Sequence, residues 1–239
     1  MNEFTLSPAF ILLFVLCAVF LSCLNWLVQT AYKKEKKEMH VQAKASTSAL
    51  FLIIALVAFF TTGMRQGAVF AMLFVCMVFC LGGDVFLSLA NVHSKLFSRF
   101  FLLGVGSFMA GHFLFCVLFY AMVPFNLIDV VLPAISLAVV FCCGQSTRFR
   151  LKRMHMLVPA LVYTVFVALM VTKGMQAGMA YGIATARGAL LAAGCVLFFI
   201  SDALILFVYF YTKNRSWTRA ANLILYYIGM LCLALSAAF

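Results

Sequence analysis

Residues 188–211 read GALLAAGCVLFFISDALILFVYFY, and this stretch decides the fold. It contains no Lys or Arg and one carboxylate, Asp202. Apolar residues fill it without the two-residue alternation of a half-buried strand. As a helix it rises about 36 Å at 1.5 Å per residue, enough to cross the roughly 30 Å hydrocarbon core of a bilayer. Working outward, runs of the same character recur over the whole chain of 239 residues. They lie at approximately 7–30, 46–63, 67–90, 100–122, 125–143, 155–172, 185–211 and 218–238. The pattern predicts an all-α, polytopic membrane protein of about eight transmembrane helices, forming a single integral membrane domain over 1–239.

Composition excludes the alternatives. The chain is 67% hydrophobic and 10% charged, where a soluble domain carries about 25% charged residues to cover its surface. A net charge of +11 in a soluble protein would suggest nucleic acid. Here the bases cluster between apolar runs, so no nucleic-acid partner is expected and the surplus is read as topology. The nine cysteines all lie inside apolar segments, with no CxxC pair and no His at ligand spacing. Neither a disulfide framework nor a metal site is expected, and they read as small buried apolar residues.

The bases then orient the chain. Lys33, Lys34, Lys36, Lys37 and Lys44 fall in the first loop, Lys95 and Arg99 in the third, Arg148, Arg150, Lys152 and Arg153 in the fifth, and Lys213, Arg215 and Arg219 in the seventh. These fourteen face three on the other side: Arg65, Lys173 and Arg187. Cytoplasmic loops are the Lys/Arg-rich ones, so the odd loops are expected in the cytoplasm and both termini outside. Residues 174–211 have no polar break and exceed one ordinary span. A ninth helix would put the last basic loop outside, so 174–184 is expected as an extension or re-entrant turn. Gly174, Gly178 and Gly182 form a small-residue stripe that permits close helix contact.

Three spans carry an ionisable group deep in apolar sequence. A charge at the centre of a membrane helix costs roughly 2.5–3.5 kcal/mol on insertion scales, so such groups normally face a cavity or a partner. Asp84 lies on a polar stripe with Cys80, Ser88 and Asn91, beside Gly82 and Gly83. His112 lies on a ridge with Gly104, Phe108, Cys116 and Tyr120, and Asp202 on a face with Gly188, Cys195 and Tyr209. Their depths overlap along the helices, so one shared polar pocket is geometrically allowed. Asp129, near the outer end of its span beside Asn126, is expected to be interfacial, and His40, His93 and His155 to be solvated.

At these residues the sequence resembles the YhhN-like family, whose characterised members are lysoplasmalogenases. The matching pieces are GGDVFLSL at 82–89, FFLLGVGSFMAGH at 100–112, GALLAAGCVLFFISDALI at 188–205 and YYIGMLCLALS at 226–236. The chain departs from the family pattern at Ala45, Phe115 and Met230. The resemblance implies a multi-pass hydrolase of the bacterial inner membrane, without cofactor or metal. Its substrate would be a lysophospholipid, and its only other partners membrane lipids. The reaction would split the vinyl ether bond of a lysoplasmalogen into a fatty aldehyde and a glycerophospho-alcohol. Vinyl ethers hydrolyse through protonation at carbon, which calls for a carboxylic acid that keeps its proton and a carboxylate that stabilises the cation; hydrocarbon surroundings favour the neutral acid. On this basis Asp84 and Asp202 are expected as a catalytic dyad and His112 as their orienting partner. Lys44 or other basic residues of the cytoplasmic side are expected to meet the substrate phosphate, with Ser201 and Tyr227 as further substrate contacts.

Two other classes share the membrane carboxylates. Leu81-Gly82-Gly83-Asp84 and Pro159-Ala160-Leu161 are similar to the motifs of aspartyl intramembrane proteases, but position 81 is Leu and the second Asp follows the triplet instead of preceding it. A proton-coupled transporter could use Asp and His as a relay, yet no internal repeat is visible.

Overall fold

The computed structural model describes residues 8–31, 37–61, 63–64, 66–151, 156–213 and 216–239. The long apolar runs become eight helices: α1 Pro8–Ala31, α2 Lys37–Thr61, α3 Gly67–Val92, α4 Phe97–Met122, α5 Ile128–Gln145, α6 Leu157–Ala180, α7 Ala186–Ile205 and α8 Ser216–Leu235. All eight are long and apolar enough to cross a membrane. A π-helical turn, Leu206–Phe210, extends α7, and a 3-10 turn, Ser236–Ala238, closes the chain.

Six helices close a ring: α2 packs on α3, α3 on α4, α4 on α6, α6 on α7, α7 on α8, and α8 back on α2. Helix α1 lies outside against α2 and α8, and α5 lies outside against α6. The ring buries the aromatic core of Phe51, Phe115, Phe119, Phe198 and Tyr227. The outward faces of α1 and α5 carry Phe14, Ile128, Val131 and Ile135 exposed, as lipid-facing helices do.

Two boundaries differ from the sequence reading, each because a charge resembled a loop. Helix α2 begins at Lys37 instead of 46, so Lys44 lies within the helix and is buried. Helix α6 runs to Ala180, which places Lys173 inside it, fully buried. Of the two alternatives for 174–184, the structure shows an extension, of α6, and no re-entrant turn. The first part of the stretch completes α6, and the chain then reverses over 181–185, with Gly182 at φ +89°. There the Thr185 hydroxyl caps α7 by accepting from the Gly188 N–H. The glycine stripe does what its spacing suggests. A Cβ on Gly178 would stand 2.7 Å from the Gly188 carbonyl oxygen and 2.9 Å from Ala192 Cβ, so α6 and α7 touch backbone to backbone there. The topology signals Lys33, Lys34, Lys36, Arg65, Lys152, Arg153 and Arg215, and also His155, lie outside the described residues.

Candidate active site

Among the described residues, the carboxylates of α3, α5 and α7 are each buried against a basic partner, and they form three separate clusters. The first is built on α3. Asp84 is 1% exposed. Its Oδ1 meets Lys44 Nζ from α2 at 3.1 Å, and its Oδ2 accepts from Ser48 at 2.7 Å and Tyr226 at 2.8 Å. Tyr227 is the next layer, 2.9 Å from the Ser48 hydroxyl and donating to the Lys44 carbonyl. Lys44 and Ser48 stand one turn apart on α2, so one helix face presents both to Asp84. Ser88, one turn beyond Asp84, is buried, and its hydroxyl has no hydrogen-bond partner among the described residues. Asn91 leaves the stripe; it is exposed and donates to the Leu87 carbonyl of its own helix.

The second cluster joins α4, α6 and α7. Asp202 Oδ2 lies 2.8 Å from His112 Nε2 and accepts from the Tyr163 hydroxyl at 2.9 Å, while that hydroxyl lies 3.0 Å from the same His112 nitrogen. His112 Nδ1 faces the Met170 sulfur at 3.1 Å. A thioether can only accept, so Nδ1 carries a hydrogen. One further proton can then be held between Nε2 and the Asp202 carboxylate. No described residue bonds Asp202 Oδ1.

Asp202 and Tyr163 also form part of the wall of a cavity of about 350 Å³. Its remaining lining is almost wholly apolar, from Phe101, Val105 and Phe108 of α4, Leu132, Ile135 and Val139 of α5, Met156 just before α6 and Val167 within it, and Leu206, Tyr209 and Phe210 beyond α7. The π-helical turn supplies Tyr209 and Phe210 to the end of this cavity; such turns recur at functional sites. Because α5 packs on α6 and stays clear of α4, the cavity sits in the gap between α4 and α5.

Asp84 and Asp202 share no hydrogen bond among the described residues. An aromatic layer separates them: Tyr226, which donates to Asp84, meets Phe198 at 5.1 Å between centroids, and Phe198 meets His112 at 4.8 Å. The single shared pocket of the sequence reading is thus two adjoining clusters, of which only the one around Asp202 reaches the cavity. Gly83 makes room for the Phe108 ring, which lies against it and lines the same cavity.

Three expected substrate contacts are placed as follows. Lys44 is on Asp84, Tyr227 is on Ser48, and Ser201 is clamped to α8, donating to the Asn222 carbonyl while Asn222 Nδ2 donates back to the Ser201 hydroxyl and carbonyl. Ser48, Tyr163 and Asn222 belong to these clusters and carried no signal in the sequence, since a lone hydroxyl or amide in an apolar run has no spacing to announce it; Tyr226 opens the matching piece at 226–236 but had no role assigned to it.

The third cluster corrects the reading of Asp129. It is 2% exposed and pairs with Lys173 at 2.7 Å. Gln176 donates to it at 2.8 Å, and Lys173 also donates to the Pro124 carbonyl and Gln176. This network ties the start of α5 to α6. His40 is also not simply solvated; its Nδ1 lies 3.1 Å from the Thr30 hydroxyl.

Among the described residues, no three of His, Cys, Asp or Glu converge as a metal site requires. No curated protein and no solved structure matches the chain. The model of the YhhN family matches residues 39–237, a span that takes in all three clusters and every helix but α1, and the chain belongs to that family.

Proposed function

We propose that the protein is a lysoplasmalogenase, hydrolysing the vinyl ether of a lysoplasmalogen to a fatty aldehyde and a glycerophospho-alcohol. The observation that carries this reading is the Asp202–His112–Tyr163 cluster standing on the wall of a long apolar cavity. Protonation of an alkenyl carbon demands an acid beside a space that suits a hydrocarbon chain, and Asp202, paired with His112, lines such a space.

In this mechanism the proton held between His112 Nε2 and Asp202 passes to the vinyl carbon remote from the ether oxygen. The oxocarbenium ion that forms is stabilised by the Asp202 carboxylate, which the Tyr163 hydroxyl holds in place. Water adds to the cationic carbon and returns its proton to the Asp202–His112 pair. The hemiacetal collapses as its hydroxyl proton is removed and a proton is given to the departing glycerol oxygen. One water is consumed, and the pair ends as it began. Asp84, the other member of the dyad, does not touch the cavity. Held by Lys44, Ser48 and Tyr226, it sets the position of the Tyr226–Phe198 layer on which His112 rests. Lys44 thus serves Asp84 in this reading, Tyr227 backs Ser48 and Lys44, and Ser201 ties α7 to α8 through Asn222.

The test is aldehyde release by the purified protein from a lysoplasmalogen and from its saturated alkyl-ether analogue. Release is expected from the vinyl ether alone and is expected to vanish in Asp202→Asn. Release from neither substrate, with proton flux in proteoliposomes, overturns the proposal in favour of proton-coupled transport.

A further inference from the structure

The chain carries a second built feature at the same end of the bundle as the cavity. The segment after α5 runs back against the end of α7 through an antiparallel bridge between Phe149 and Tyr211. The Arg150 N–H donates to the Phe210 carbonyl at 2.9 Å, and the Thr212 N–H to the Arg148 carbonyl at 3.0 Å. Burial alternates along it. Phe149 turns inward onto Phe207 and Tyr211 and Leu151 is fully buried, while Arg148 and Arg150 are exposed. The alternation puts the two arginines on the same side of this bridged segment, about 7 Å apart at the 3.3 Å per residue of extended backbone.

Position and charge make this more than a topology signal. Phe210, to whose carbonyl Arg150 is bonded, lines the cavity, as does Met156, whose N–H donates to the Leu151 carbonyl. Neither arginine lines the cavity, but their backbone is bonded next to its end at Phe210 and fixed to the segment that continues the helix carrying Asp202. Among the described residues no carboxylate pairs with them: Asp84, Asp129 and Asp202 are taken by Lys44, Lys173 and His112, and Glu38 of α2 forms no ion pair with either. Arg presents a planar fork suited to phosphate oxygens.

The spacing fits one molecule. Asp202 lies eight residues from Phe210, about 12 Å at 1.5 Å per residue. In a lysophospholipid the carbon attached to the sn-1 oxygen is separated from phosphorus by a glycerol backbone, roughly 7 Å when extended, with bonds of about 1.5 Å. An arginine reaching in from the rim covers the difference. We propose that Arg148 and Arg150 form a phosphate-binding site for the head group of a single-chain phospholipid, with its glycerol in the throat beside Tyr209 and its chain in the gap between α4 and α5. The proposal rests on the lysolipid reading of the site but not on catalysis.

The test is binding to the purified protein of a non-hydrolysable alkyl-ether lysophospholipid and of the matching alkylglycerol, which lacks the phosphate, followed by intrinsic fluorescence. The wild type is expected to prefer the phospholipid, and Arg148→Gln/Arg150→Gln to lose roughly tenfold to hundredfold in affinity for it, with alkylglycerol binding unchanged. Lys95→Gln/Arg99→Gln removes the same charge from the same end and is expected to leave the preference intact. Equal weakening by both double variants, or equal loss for both ligands, overturns the assignment. Inorganic phosphate that competes as well as the lipid would make the pair a free-anion site and also overturn it. If the Arg-dependent preference holds while no vinyl ether is cleaved, the catalytic reading falls and the head-group site stands.

Discussion

At the scale of single residues, the two clusters separate what the sequence joined. Asp84, His112 and Asp202 were legible because an ionisable group in hydrocarbon is expensive and therefore conspicuous. Their pairings were not, because Tyr163 looks like any aromatic residue of a membrane helix, and Tyr226, though part of a matching piece, has no visible partner until the ring of helices brings it to a carboxylate. Tyr163 gives the sharpest prediction. It donates to Asp202 Oδ2 at 2.9 Å and lies 3.0 Å from His112 Nε2, so Tyr163→Phe keeps the ring and removes only the hydroxyl. The expected result is a fall in kcat of about 10²-fold with KM nearly unchanged, the pattern of a contact made chiefly in the transition state. A matching rise in KM would mean that Tyr163 binds the ground state instead. The Asp84 cluster predicts a different pattern. Lys44→Met strands a buried carboxylate that keeps only its two hydroxyl donors, which costs about 3–5 kcal/mol. Adding Asp84→Asn should recover most of the thermal stability in detergent. The double variant should also retain aldehyde release that Asp202→Asn lacks, a difference that follows only if Asp84 acts at a distance from substrate.

At the scale of helices, the spans were legible from hydropathy and their ends were not. A window that treats Lys as a terminator stops α6 at Lys173 and starts α2 after Lys44. In the folded chain each ammonium has a carboxylate waiting, Asp129 on α5 for one and Asp84 on α3 for the other. Hydropathy scores one segment at a time and has no means of seeing a partner on another helix. The glycine stripe was readable because small residues at four-residue spacing carry their own geometric meaning. At Gly178 the added methyl would press on the Gly188 carbonyl, a backbone atom that cannot rotate away. Gly178→Ala is therefore expected to lower stability by about 1–3 kcal/mol, read as a drop in Tm. Gly106→Ala, with nothing within 4 Å of the added carbon, serves as the control and should leave Tm in place. Lys173→Met should loosen the start of α5 more than any neighbour-facing change on its lipid side, because the Asp129–Lys173–Gln176 network is its tie to α6 there.

At the scale of the molecule, eight spans put the two termini at one end of the bundle and the loops after α1, α3, α5 and α7 at the other. The structure withdraws one basic residue from each side of the charge count, Lys44 from the first loop and Lys173 from the opposite side, since both are buried in ion pairs. The bias survives this. Lys37, Lys95, Arg99, Arg148, Arg150, Lys213 and Arg219 are exposed at the odd-loop end, while at the other end the described residues offer only Arg187 outside an ion pair, and it is half-buried. Because a bias in short loops near span ends sets orientation, the odd-loop end is expected to face the cytoplasm. That also decides which leaflet feeds the cavity, whose outer end at Met156, Tyr209 and Phe210 is the odd-loop end. Fusions expressed in bacteria test this directly. Alkaline phosphatase fused after Phe239 should be active and a fluorescent protein there dark, with the reverse after Thr147, which lies in the loop following α5. A fluorescent fusion at Phe239 would invert the whole arrangement, turning the arginine rim outward and requiring the lipid to arrive from the outer leaflet.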